Sequence, residues 1–270
     1  MCNFVIHNPK VFVMINIYKI GGNVINDPLE LRNFIKDFSS IPGKKILVHG
    51  GGKEATELGK QVGLEAKMIN GRRVTDRDTL DLVTMVYAGL TNKRIVALLQ
   101  EYGCNATGLS GADGNVIPAK KRSPVPIDYG FVGDIDPAMI NLDFISLLIN
   151  NGYTPVFCAI CRDREGGLLN CNADSIASAL AKACAKIDET RLHFCFEKTG
   201  VLKDLDNPDS LISSITPKMF DSLVESGAIS GGMIPKVFNA LEALKAGVTS
   251  VRICDSKNVT NEIGTLICND

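Results

Sequence analysis

Two apolar runs near the start of the chain each break off at glycines and give way at once to a helical pattern. Val11 to Ile20 reads as a buried strand that stops at Gly21-Gly22, and residues 27–38 follow as a helix with Asp27 as its N-cap and Pro28 in its first turn. Lys45 to His49 repeats the arrangement: it meets Gly50-Gly51-Gly52, and the polar stretch 53–62 reads as the next helix. An unbroken apolar strand, a glycine turn and a helix make the unit of a parallel sheet, because parallel neighbours need a crossover between them. Glycine loses more backbone freedom on ordering than any other residue, so a run of three needs a reason. A phosphate cradle, an oxyanion hole and a tight corner would each supply one.

The remaining chain keeps the alternation. Residues 66–74 read as a short hairpin around Asn70-Gly71, and a long helix follows from about 76 to 102, with Thr75 and Asp78 in a capping-box pattern. Residues 104–109 read as a strand, and 115–136 as two extended pieces, split by Pro124 and Pro126, that form a β-hairpin laid over the lobe. A helix over 138–151, a strand over 154–160, a small-residue helix over 172–186 and a strand over 192–196 come next. Helices over 217–226 and 231–246, a strand over 248–254 and a last edge strand over 265–268 complete the pattern. The fold class this predicts is α/β: a mainly parallel open sheet sandwiched by helices. At 270 residues the chain suits one large domain or two lobes on one continuous sheet, divided near 161–171 into 1–165 and 166–270.

Composition removes several classes. The net charge of -1 gives no footprint for nucleic acid or an anionic membrane. Nine cysteines in apolar surroundings fit reduced, buried thiols of a cytoplasmic protein better than a disulfide scaffold. Cys158 and Cys161 have C-x-x-C spacing, but no second pair or nearby histidine completes a metal site. No apolar run reaches the roughly 20 residues that span a bilayer. Residues 1–13 lack the basic start and cleavage site of a signal peptide and read as a loose arm.

The residues that can carry chemistry gather at the glycine turns and in three later motifs. Lys19 stands in an apolar strand just before Gly21 and Gly22, where a buried ammonium is costly without a negative partner. Backbone amides at Gly21, Gly22, Gly51 and Gly52, backed by helix N-termini, suit an anion such as phosphate. Lys236 follows Gly231-Gly232 in the first turn of a helix, where a cation opposes the dipole unless an anion faces it. Asn170, Asn172 and Asp174 open another helix, which capping alone would explain equally well. Arg72 and Arg73 follow the Asn70-Gly71 turn and either grip a carboxylate or sit at a solvated hairpin tip. Neither GxxxxGK[ST] nor an ordered GxGxxG occurs. HGGG also serves as the oxyanion hole of esterases, but Ser110 and Ser230 each miss one glycine of the required elbow, and the only later histidine, His193, sits in an apolar strand.

Taken together, KIGG (Lys19–Gly22), HGGG (His49–Gly52), NGRRVT (Asn70–Thr75), NCNAD (Asn170–Asp174) and GGMIPK (Gly231–Lys236) resemble the amino acid kinase family, in order along nearly the whole chain. The last three motifs in this order mark its acetylglutamate branch. The resemblance implies ATP-dependent phosphorylation of the γ-carboxylate of N-acetyl-L-glutamate, on the route to arginine or ornithine. Lys19 and Lys236 match the family's transition-state lysines, and Asp174 matches the carboxylate that holds them. Gly22, Gly51 and Gly52 match the donors to the phosphoryl group, and Arg73 and Asn170 match the grip on the α-carboxylate. Mg²⁺ would ride on the nucleotide phosphates without dedicated protein ligands. Residues 1–165 would then bind the acyl-glutamate and 166–270 the ATP. The short leader and the long helix near 76–102 imply a homodimer without strong arginine feedback. Three departures stand out: Ala112 in GLSGADG, Cys161 in VFCAIC, and Glu197 and Lys198 in FEKTG. The first two leave N-succinyl-L-glutamate as an alternative substrate, with Arg72 or Lys120 as the extra cation. A sensor that keeps the fold without turnover is a further alternative, against which both lysines and Asp174 speak.

Overall fold

The computed structural model describes residues 14–204, 207–229, 231 and 233–270. In chain order the first elements are β1 (Ile15–Ile20), α1 (Gly22–Asn26), α2 (Pro28–Ser40), β2 (Lys44–His49) and α3 (Gly52–Gln61). A small hairpin of β3 (Met68–Ile69) and β4 (Arg72–Arg73) leads into α4 (Arg77–Thr84), a π-helical turn (Met85–Thr91) and α5 (Asn92–Glu101). Next come β5 (Ala106–Leu109), β6 (Ala119–Lys121), β7 (Gly133–Ile135), α6 (Leu142–Asn150), β8 (Thr154–Phe157), β9 (Ile160–Arg162) and β10 (Leu168–Asn170). The last elements are α7 (Ala173–Cys184), β11 (Thr190–Phe196), β12 (Ser214–Ile215), α8 (Pro217–Glu225), α9 (Met233–Lys245), β13 (Ser250–Asp255) and β14 (Thr265–Ile267).

Eight strands form one continuous sheet in the order β12-β14-β13-β11-β1-β2-β8-β5. Every neighbouring pair is parallel except β13 and β14, as the strand–turn–helix pattern requires. Side chains alternate across the sheet. Ile17, Ile46 and Val48 face a core shared with Ile176 and Ala177 of α7 and Val237 and Ala240 of α9. Tyr18, Ile20 and Leu47 face the other core, with Phe34 and Phe38 of α2 and Ile95 and Leu99 of α5. The alanines of α7 let that helix sit close on the sheet, which brings Asp174 in its first turn near the strand ends. Lys45 is buried with its ammonium donating to the carbonyls of Phe38, Ser39 and Ile41 at 2.6–2.9 Å, so a strand lysine closes the C-terminus of α2.

Several boundaries differ from the sequence reading. The part of the first strand before residue 14, and the arm at 1–13, lie outside the described residues. The run 154–160 splits, because β9 leaves the main sheet to pair antiparallel with β10. Both pieces are buried, so hydropathy carries no mark of the bend. β14 is interior, and the edge is the two-residue β12, too short for any periodicity. Asp76, not Thr75, caps α4, accepting from the Thr79 N–H at 2.9 Å. The helical segment Arg77–Glu101 is 25 residues long with a mean hydropathy of 1.3 in its most apolar stretch, enough by those measures alone to cross a bilayer. Its apolar residues Leu80, Val83, Ile95 and Leu99 face the core while Asp81, Lys93 and Arg94 are exposed, the pattern of an amphipathic core helix.

Candidate active site

β1 and β2 lie side by side with Lys19 opposite Val48 and Ile20 opposite His49. Both glycine turns therefore open at the same carboxyl edge of the sheet, where ligands of such sheets bind. Gly22 and Gly52 are the first residues of α1 and α3, and first-turn amides have no partner within their own helix. Space in front of Gly22 is open: a Cβ there would meet nothing within 4 Å. Gly21 differs from the reading that gave it to phosphate, because its N–H donates to the Cys195 carbonyl at 2.9 Å. Its lack of a side chain lets the turn pass Phe196, whose Cδ1 would stand 3.3 Å from a Cβ.

Lys19 is 8% exposed, and its Nζ lies 2.8 Å from Asp174 Oδ1. The approach is out of line for a hydrogen bond, so the contact is an ion pair. Asp174 is placed by α7, whose N-cap Asn172 accepts from the Ser175 N–H at 3.0 Å. Lys236, in the first turn of α9, stands 3.8 Å from the centroid of the Phe196 ring, and Lys19 stands 5.0 Å from the same centroid. Burial pulls Lys236 below the usual lysine range; Asp174 opposes that shift and Lys19 adds to it. The structure thus brings Lys19 together with residues 155 positions and more further along the chain. Gly232 of the GGMIPK motif, with Ser230 before it, lies outside the described residues.

Beside this cluster a cavity of about 200 Å³ is lined by Gly50, Gly51, Gly52, Arg72, Arg73, Tyr87, Asn170 and Ala173, among others. Arg73 is buried, and its Nη2 donates to the Gly52 carbonyl and to Thr56 Oγ1, both at 2.8 Å. An arginine has five N–H donors, so the fork keeps capacity for a carboxylate in the cavity. Asn170 Nδ2 donates to Thr75 Oγ1 at 3.0 Å, tying β10 to the residue after the arginine hairpin. The solvated-tip reading of Arg73 is thereby replaced by a buried one. Lys120 lines a separate groove with Asp134 and Arg164, so it does not join Arg72 at this cavity.

His49 is fully buried: Asn92 Nδ2 donates to its Nε2 at 3.0 Å, and its Nδ1 meets the Gly50 carbonyl at 2.7 Å. Burial lowers its pKa to about 4, so the ring is neutral and supports the turn. His193 stacks on Tyr18 with centroids 4.4 Å apart, on the sheet face opposite Lys19. Ser110 Oγ instead donates to Asp113 at 2.8 Å, so no serine–histidine pair forms among the described residues. The described cysteines are free thiols, and burial raises Cys158 to about 12.

Phe196 and Tyr87 were not picked out from the sequence. Phe196 stood inside an atypical FEKTG stretch, and Tyr87 sat in a helix as one apolar residue among many. Their proximity to glycines and lysines exists only after folding.

The model of the family described as amino acid kinase family matches residues 14–255. An acetylglutamate kinase of Phocaeicola vulgatus is 48% identical over 253 residues, covering 94% of this chain and 98% of that protein. An acetylglutamate kinase of Parabacteroides distasonis is 48% identical over 251 residues, covering 93% and 98%. Among solved structures, smu.665 from Streptococcus mutans superposes with a TM-score of 0.76 at 29% identity, covering 95% of this chain and 99% of that one.

Proposed function

Because this chain belongs to the amino acid kinase family, we propose that it transfers the γ-phosphoryl group of ATP to the γ-carboxylate of N-acetyl-L-glutamate, a step of arginine biosynthesis. The observation that carries the reading is the cluster of Lys19, Lys236 and Asp174 around Phe196, beside the cavity walled by Gly51, Gly52 and Arg73. The relatives named acetylglutamate kinase favour acetyl over succinyl on the substrate.

The chemistry follows from charge. A carboxylate attacking a phosphoryl group brings like charges together, so catalysis is alignment and electrostatic stabilisation. Lys19 and Lys236 approach the transferring group from β1 and α9 and neutralise the charge on its equatorial oxygens. Asp174 pairs with Lys19 and opposes the loss of charge from Lys236. Gly22, Gly51 and Gly52 add backbone N–H donors, which need no reorganisation when charge develops. Arg73 and Asn170 hold the α-carboxylate in the cavity, which points the γ-carboxylate at the glycine turn. Among the described residues no group of three or more His, Cys, Asp or Glu side chains could hold a metal ion. Mg²⁺ would be held by the nucleotide phosphates, where it would lower their charge. Residues 1–165, joined by Asn170, serve the acyl-glutamate, and the rest of 166–270 serves the nucleotide, across one sheet. The protein acts in the cytoplasm as a homodimer, with the long helix Arg77–Glu101 as the pairing surface.

Incubation with Mg-ATP, hydroxylamine and either N-acetyl- or N-succinyl-L-glutamate tests the assignment. Acyl phosphate trapped as hydroxamate with the acetyl substrate is the expected result. Hydroxamate with neither substrate sinks the kinase reading, and a preference for succinyl sinks the acyl assignment alone.

A further inference from the structure

The helix that lines the cavity changes its winding where it passes the glycine turn. Between α4 and α5, Met85–Thr91 is π-helical, so backbone bonds run to the fifth residue and not the fourth. Two side chains of this stretch and that of Asn92, the residue after it, meet the HGGGKE segment. The Tyr87 ring packs on Gly51, where a Cβ would stand 2.6 Å from Tyr87 Cδ1. Thr91 Oγ1 donates to Glu54 Oε2 at 2.6 Å, and Asn92 Nδ2 donates to His49 Nε2 at 3.0 Å. At 3.6 residues per turn, two positions five apart point about 140° away from each other. The wider winding stacks Tyr87 and Asn92 on one side, so both reach the same turn. Such insertions weaken local helix geometry and occur most often at functional sites.

The Tyr87 hydroxyl extends past Gly51. A Cβ on Gly52 would stand 3.8 Å from that oxygen and 4.0 Å from Arg73 Nη2. Tyr87 is buried and lines the same cavity as Arg73, its hydroxyl and the Arg73 fork both facing Gly52. The mechanism above uses Arg73 and gives Tyr87 no part. We infer that Met85–Thr91 is a positioning element of the site and Tyr87 its positioning residue, the hydroxyl aiming the Arg73 fork into the cavity while the ring holds the Gly51 turn. The inference rests on the reading of the cavity as the N-acetylglutamate site.

Tyr87→Phe keeps the ring and removes only the hydroxyl. It should raise KM for N-acetylglutamate about tenfold, the scale of a lost hydrogen bond to a charged group. kcat should stay within about threefold and KM for ATP within about twofold, because the phosphate turn keeps its support. Leu147→Ala, at an exposed position of α6 that does not line the cavity, should leave all three unchanged. An unaltered N-acetylglutamate KM in Tyr87→Phe overturns the inference. So does a parallel rise in both KM values with a fall in kcat, which would mark general loosening. Wild-type protein inactive on N-acylglutamates overturns the functional reading and this inference together; active wild type with an insensitive Tyr87→Phe overturns this inference alone.

Discussion

Lys236 Nζ stands 3.8 Å from the centroid of the Phe196 ring, a position that gives the ammonium an apolar floor and an electrostatic face without neutralising it. Lys19 shares that ring, at 5.0 Å from the same centroid. Two cations are held this close; Asp174 pairs with Lys19 at 2.8 Å, while Lys236, which feels Asp174 and Glu197, has no ion pair among the described residues and is open to a further anion. A phosphoryl group would be that anion.

Replacing either lysine by alanine should therefore lower kcat at least about a hundredfold, the scale of losing one preorganised charge. The two variants should differ in stability. Lys19→Ala leaves the half-buried Asp174 without its ion pair and should cost about 1–3 kcal/mol in urea unfolding. Hydroxamate assays with circular dichroism check both parts. Near-normal turnover in both variants would remove the lysines from the mechanism.

Lys236 should show the opposite stability effect. Burial favours its neutral form, so its folded pKa lies below that of the unfolded chain. Between those two values the unfolded chain binds more protons, and stability rises with pH; below both, the buried charge is a standing cost. Lys236→Met should accordingly melt at or above the wild-type temperature at neutral pH while losing activity. The same shift places the alkaline fall of wild-type kcat/KM below pH 10.5, as the cation is lost. A Lys236→Met variant that melts clearly lower would contradict the cost assigned to this charge.

Legibility in the sequence divides along physical lines. The parallel sheet was legible because β1 and β2 each join an unbroken apolar run to glycines and a helix, a local signal. The motifs around Lys19, Arg73, Asn170, Asp174 and Lys236 were legible because charged residues in apolar or helix-opening positions are costly without partners. Which partners they have was not legible. That Gly21 gives its N–H to Cys195, that Arg73 braces Gly52, and that Phe196 lies against two lysines all depend on contacts far apart in the chain. The π-helical turn left no local mark either, since Met85–Thr91 keeps the apolar periodicity of its flanks.

Arg73 should behave as more than a substrate contact. Its Nη2 donates to the Gly52 carbonyl, so Arg73→Ala removes a brace of the glycine turn as well as the grip on the α-carboxylate. KM for N-acetylglutamate should rise by about a hundredfold, two lost charge-assisted bonds, with a smaller fall in kcat. Arg73→Lys should restore part of kcat but little of KM, because an ammonium cannot hold both partners as a fork does. Steady-state kinetics with ATP saturating separates the two effects, and an unchanged KM in Arg73→Ala would take this residue out of the substrate site.

His49 makes the glycine turn sensitive to acid. Its folded pKa is about 4 against an ordinary value of 6.5, because the ring is buried and the Lys93 charge adds to the shift. Between pH 6.5 and 4 the unfolded chain binds a proton that the folded protein refuses, so stability is lost as pH falls through that window. The linkage amounts to roughly 2 kcal/mol between pH 7 and pH 5. His49→Gln cannot titrate there and keeps a group that can meet Asn92. Its unfolding free energy should be lower than wild type at pH 7 yet fall less on going to pH 5, by roughly that amount. Urea unfolding of both proteins at the two pH values measures the difference. Equal acid sensitivity in the two proteins would mean that the buried imidazole at Gly50 is not what the low-pH transition reports.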